Sequence, residues 1–128
     1  MNSNNSTIAS DGRTLGVTQS VRTAFNIINT DVSNHIGIKE LALKAGTNEC
    51  SLKRGFRLMY RTSIYQYLIQ ARMKKANLLL KSTRLKHTDI AMECGYESLA
   101  GFVTAYRKYF GTAPGTYRKA YLQKKIFQ

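Results

Sequence analysis

The sequence predicts an all-α fold of two helix-turn-helix subdomains joined by a long linker helix. Three observations lead there. Apolar residues recur at the three- and four-residue spacing of helices more often than they alternate as in strands. Proline occurs once, at Pro114, so almost no segment is barred from helix. Finally, TDIAMECG at 88–95 parallels KELALKAG at 39–46, an internal similarity that marks a duplicated structural unit.

Residues 1–16, MNSNNSTIASDGRTLG, read as a polar, disordered lead with no charged-then-apolar signal pattern. A first subdomain is expected over 17–62. It opens with a packing helix from Val17, whose stripe is Val17, Val21, Ala24, Phe25 and Ile28. Asn34 to Gly37 breaks that helix, and Ile38, Leu41, Ala42 and Ala45 line the inner face of the next. Gly46 suits a left-handed turn, and Asn48 suits the capping position of the helix behind it. That helix has two faces in antiphase. Leu52, Gly55, Phe56 and Met59 form a buried stripe, while Cys50, Lys53, Arg54, Arg57 and Arg61 point the other way. Held by its apolar side and cationic outside, it has what the major groove of DNA asks of a recognition helix.

A linker helix is expected over 63–81, capped by Thr62-Ser63, with Ile69, Met73, Ala76 and Leu80 inward and Lys74, Lys75 and Lys81 opposite. Its apolar stripe suits a connector in a core rather than a helix lying on a membrane. The second subdomain, 82–128, repeats the first. Beyond the turn at Gly95 the offset is 50 residues, so Leu52 answers to Phe102, Phe56 to Tyr106, Arg57 to Arg107, Tyr60 to Phe110 and Tyr67 to Tyr117. Ser98 caps the second recognition helix, Gly111 ends it, and Pro114 opens a last helix.

Charge narrows the function. The net charge is +13, and its placement is uneven. Residues 1–36 carry two cations and two acids, residues 37–81 ten against two, and residues 82–128 eight against three. A polyanion partner follows, with nucleic acid the first candidate. No run approaches the ~18 apolar residues of a membrane span, and no membrane partner is expected. Cys50, Cys94, His35 and His87 have no metal-ligand spacing, and no metal or cofactor is expected. The two thiols read as free cysteines of a reducing cytoplasm. The acids form no paired carboxylates, and neither histidine has a nucleophile at catalytic spacing, which argues against an enzyme.

At GYESLAGFVTAYRKYFGTAPGTYRK, 95–119, the chain resembles the DNA-binding domain of the AraC/XylS family of bacterial transcription regulators. The resemblance runs from about residue 17 to 121. It implies seven helices, two recognition helices entering successive major-groove segments ~34 Å apart, and double-stranded DNA as partner. It also implies a cytoplasmic, nucleoid-associated activator that recruits RNA polymerase. A monomer suffices for this domain, and a dimer stays open if it is part of a longer regulator. Several residues depart from the pattern. Gly37 replaces a Ser or Thr cap, Arg61 replaces Gly after the first recognition helix, and Thr104 replaces an Arg. His87 stands where the repeat has Ile38, and a partly buried, hydrogen-bonded histidine is expected there.

Carried onto the motif, the expected base-contacting residues are Cys50, Lys53 and Arg54 in the first unit, and Ala100, Val103 and Thr104 in the second. Arg57, Arg61, Arg107 and Lys108 are expected on phosphates. Lys and Arg can hydrogen-bond the guanine edge, whereas Ala, Val and Thr offer methyl groups to thymine. Polar readout should therefore fall to the first unit, and methyl or shape readout to the second. Arg72 is expected to make structural hydrogen bonds, and Tyr96, Phe102, Tyr106 and Phe110 to pack in the core or turn. The competing reading is a basic nucleoid-packing or RNA-binding protein without sequence specificity.

Overall fold

The computed structural model describes residues 12–126, with side chains from Gly16 onward. Among them are seven helices and no strand: α1 (Gly12–Thr30), α2 (Ile38–Lys44), α3 (Glu49–Tyr60), α4 (Ile64–Ser82), α5 (His87–Glu93), α6 (Leu99–Phe110) and α7 (Pro114–Ile126). Of the lead expected over 1–16, residues 1–11 lie outside the described residues. Residues 12–16 are helical, so α1 starts ahead of Val17, the first apolar position of its stripe. Once a packed segment nucleates a helix, each added residue gains a hydrogen bond at little further cost. An apolar stripe therefore marks the packed part of a helix, not its end.

The chain groups into two compact units. One takes residues up to Asp31 together with His35–Leu68; the other takes Val32–Asn34 and the residues from Ile69 onward. In the first, Val21, Ala24 and Ile28 of α1 meet Leu41, Ala42 and Ala45 around α2 and Leu52 and Phe56 of α3. Helix α1 comes so close to α3 that a Cβ on Gly55 would lie 2.7 Å from Val21 Cγ2 and 3.0 Å from Val17 Cγ1. Phe25 closes the unit by stacking on Tyr60, ring centroids 4.3 Å apart, with Phe56 and Tyr67 against the same ring. The Tyr67 hydroxyl donates to Asn29 Oδ1 at 2.7 Å.

In the second unit Met73, Ala76 and Leu80 of α4 take the part that α1 plays in the first, against Ile90, Ala91, Cys94, Phe102 and Tyr106. The duplication thus extends further than the turn motifs. Val21, Ala24 and Ile28 correspond to Met73, Ala76 and Leu80 at a constant offset of 52 residues. Tyr106 is fully buried, and its hydroxyl donates to Asn77 Oδ1. Arg118 of α7 donates through Nε to the Leu80 carbonyl at 2.9 Å, through Nη1 to Leu85 at 2.8 Å, and through Nη2 to Thr83 at 3.2 Å. One guanidinium so ties down the connector from α4 to α5, using the forked donor geometry that lysine lacks.

The turns repeat as well. Thr47 N donates to the Ala42 carbonyl and Gly46 N to Leu43; Tyr96 N and Gly95 N make the same pair with Ala91 and Met92. Helices α3 and α6 end differently. Gly111 closes α6 at φ 79°, whereas Arg61 closes α3 at φ 61°, a left-handed conformation that costs a side-chain-bearing residue about 1–2 kcal/mol.

Candidate nucleic-acid interface

Helix α3 is launched by Asn48, whose Oδ1 accepts from the Ser51 amide at 2.9 Å, and Glu49 in the first turn complements the helix dipole. Leu52, Gly55 and Phe56 are buried, which fixes the rotation of the helix about its axis. The opposite face is thereby set. Cys50, Lys53, Arg54, Arg57 and Arg61 are all exposed on it. Arg54 Nη2 leans back along the face to Cys50 Sγ at 3.5 Å. Two ion pairs, Lys44–Glu40 and Lys75–Glu93, lie at or near the surface and are worth little. Among the described residues no acid neutralises the α3 cations.

Helix α6 is built alike. Ser98 Oγ accepts from the Gly101 amide at 3.0 Å, and Phe102 and Tyr106 are buried. Ala100, Thr104, Arg107 and Lys108 are exposed. Val103 departs from its expected outward position: it is half-buried against the core of the second unit. Gly101 is exposed instead, a position that the sequence reading left out. The apolar face of α6 is wider than its counterpart in α3, because its position between core and surface is shared by a branched aliphatic residue. With Ala100, Gly101 and Thr104 outward, this helix offers a low, nearly uncharged profile at its N-terminal half and cations only at its end.

Other expected positions sort clearly. Arg72 is 8% exposed and makes a structural hydrogen bond from Nε to the Val32 carbonyl at 2.8 Å. Phe102 and Tyr106 are buried and Tyr96 packs on Phe102, whereas Phe110, expected in the core or turn, remains 38% exposed while touching Tyr106 and Tyr109. Its repeat partner, Tyr60, is covered by Phe25; nothing aromatic answers to Phe25 in α4, where the corresponding residue is Asn77. His87 is half-buried as expected but not hydrogen-bonded as expected: its Nε2 is buried without a partner. Burial first, and the Arg118 guanidinium second, hold this imidazole below its ordinary range. Cys94 is buried, and its thiol is pushed up to about 11, mainly by burial, so it is held neutral. Cys50 is free and exposed. Among the described residues no three His, Cys, Asp or Glu side chains gather as a metal site would need, and no helix is long and apolar enough to cross a membrane.

The sequence matches the family profile described as a helix-turn-helix domain over residues 41–120. It is 29% identical over 93 residues to the Msm operon regulatory protein of Streptococcus mutans, covering 73% of this chain and 34% of that one. It is 30% identical over 100 residues to the regulatory protein SoxS of Salmonella typhimurium, covering 78% of this chain and 94% of SoxS. The chain therefore spans about a third of the first relative and nearly all of the second. Its fold is similar to that of the DNA-binding domain of AdpA, solved in complex with a target DNA, with a TM-score of 0.79 at 22% identity over 84% of this chain and 97% of that one.

Proposed function

The chain belongs to the AraC-type helix-turn-helix family, and we propose that it is a sequence-specific, double-stranded-DNA-binding transcription regulator. The observation that carries this reading is the construction of α3: a helix whose buried side is fixed by Leu52, Gly55 and Phe56 and whose free side presents Cys50, Lys53, Arg54 and Arg57, with no ion pair to these cations among the described residues. In this reading α3 and α6 enter successive major-groove segments of one duplex, and a single chain reads an asymmetric site. Lys53 and Arg54 take guanine edges, with Cys50 beside them. Arg57, Arg61, Arg107 and Lys108 take phosphates and so set register rather than sequence. On α6, Ala100 and Thr104 face thymine methyls, and Val103 contributes at most the edge of its side chain. Activation through recruited RNA polymerase, in the bacterial cytoplasm, follows the habit of the family.

Competition by mixed-sequence duplex against a selected site tests the reading. A regulator prefers its site by roughly 10³-fold or more. A ratio near one, with the steep salt dependence of simple charge neutralisation, would instead identify a packing or RNA-binding protein.

A further inference from the structure

The second recognition helix is only two residues from its turn: Tyr96 and Glu97 separate Gly95 from the capping Ser98. The position of that turn therefore sets where α6 begins and how it is aimed. Arg72, in the middle of α4, stands against it. Its Nε donates to the Val32 carbonyl at 2.8 Å, and its guanidinium carbon lies 5.4 Å from the centre of the Tyr96 ring. Gly95 is closed in from two sides at once. At φ 94°, a Cβ there would fall 2.8 Å from Arg72 Cζ and Nη2, and 2.8 Å from Ser33 Cα. Turn, guanidinium and the Val32–Ser33 backbone are thus packed in one layer within the second unit.

Among the described residues the first unit has no such device. At the offset of 52, Ser20 occupies the position of Arg72; it too is buried, at 7% exposed, but its side chain is too short to span to a turn. Correspondingly, a Cβ on Gly46 would meet nothing within 4 Å. A buried arginine present in one repeat only, on the turn that launches one recognition helix only, has a unit-specific task.

We propose that Arg72 is the positioning residue for α6, holding the Gly95–Tyr96 turn in register against the connector between α1 and α2. The proposal rests on α6 being a recognition helix. It assigns Arg72 no contact with DNA. Arginine is required because one planar group must both stack on an aromatic face and donate a directed hydrogen bond, which a lysine ammonium cannot do together. Recognition side chains need to be held within about 0.5 Å of their working geometry, so a loosened turn costs readout before it costs fold.

The test uses the 128-residue chain with Arg72→Lys and Arg72→Met, a duplex selected by the unaltered protein, strand-protection footprints, and amide NMR shifts. In Arg72→Lys, which keeps the charge, amides from Gly95 to Phe102 shift while those of α3 hold. Protection fades over the half of the site read by α6, and discrimination at its positions falls about tenfold, the worth of one good base contact. The half that depends on Lys53 and Arg54 keeps its protection. An unchanged footprint, an equal loss over both halves, or unfolding of both variants would each overturn the positioning role. If the unaltered protein selected no duplex at all, the recognition-helix reading would fall instead, a result distinct from any of these.

Discussion

Where the first unit stacks Phe25 on Tyr60 and presses Phe56 and Tyr67 against the same ring, the second sets Asn77 to accept from Tyr106 and sends two arginines to backbone carbonyls. The backbone plan is shared, down to the paired hydrogen bonds of each turn. The means of holding it are weighted differently: each unit packs rings and has a tyrosine hydroxyl donating to an asparagine, but the second adds the guanidiniums of Arg72 and Arg118. Ring pairs prefer offset or edge-on geometry but lose little when a ring slides slightly. A guanidinium or hydroxyl bond is directional and leaves a buried polar group unsatisfied when broken. The outer faces differ in the opposite sense. The first unit presents Lys53, Arg54 and Arg57 for directed polar contacts, and the second presents Ala100, Gly101 and Thr104. Duplication of a scaffold thus leaves both its core and its outer face free to diverge, provided that the helix-setting positions stay buried.

The largest difference between the units is expected on removing Phe56, which is fully buried among three rings. Phe56→Ala should cost about 3–5 kcal/mol, seen as an early loss of the α1–α3 amides in hydrogen exchange while the α5–α6 amides keep their protection. Loss of both sets together would show that the two units do not unfold separately. A smaller effect sharpens the difference between the helix ends. Arg61→Gly, which copies Gly111 into the first unit, relieves the left-handed strain at φ 61° and should stabilise the protein by about 1 kcal/mol in denaturant unfolding. The same variant should weaken binding to all duplexes alike and lower the salt dependence by about one counterion. A change of sequence preference would put Arg61 on a base instead.

The smallest expected effect concerns His87. Its folded-state imidazole titrates below the ordinary value of 6.5, so the unfolded chain takes up a proton first as pH falls. The stability it contributes is complete above 6.5 and is lost as pH drops through its lowered folded value. His87→Ile, which restores the residue found at Ile38, should flatten the stability profile as pH falls below about 6.5, relative to the unaltered protein. Equal slopes would show that carboxylates alone govern that window.

Much of this was legible in the sequence because it is local. The antiphase of Leu52, Gly55 and Phe56 with Lys53, Arg54 and Arg57 fixes which side of α3 is free, and the caps Asn48 and Ser98 act within three residues. What escaped is long-range. Arg72 makes the structural hydrogen bond expected of it, but its partner, a carbonyl 40 residues away, and the three carbonyls that Arg118 reaches 33 to 38 residues away could not be named, because backbone acceptors leave no mark in side-chain pattern. The α1–α4 correspondence was available as Val21, Ala24 and Ile28 against Met73, Ala76 and Leu80, but its offset of 52 differs from those of the turns and the recognition helices. Val103 shows a further limit. Helical phase separates two faces but does not decide a residue on their border, and there the neighbouring core decides. His87 was expected to be hydrogen-bonded because buried polar groups usually are, and its Nε2 is an exception.

The most direct test is selection from random duplexes, carried out in parallel with the unaltered protein and with a Lys53→Ala, Arg54→Ala double variant. Two blocks of preference about one helical turn apart are expected, one carrying guanines and the other thymines, with only the guanine block lost in the variant, at about 1–3 kcal/mol per contact. A selected sequence that stays the same in the variant, or guanine preference surviving at full strength, would contradict the assignment of polar readout to α3.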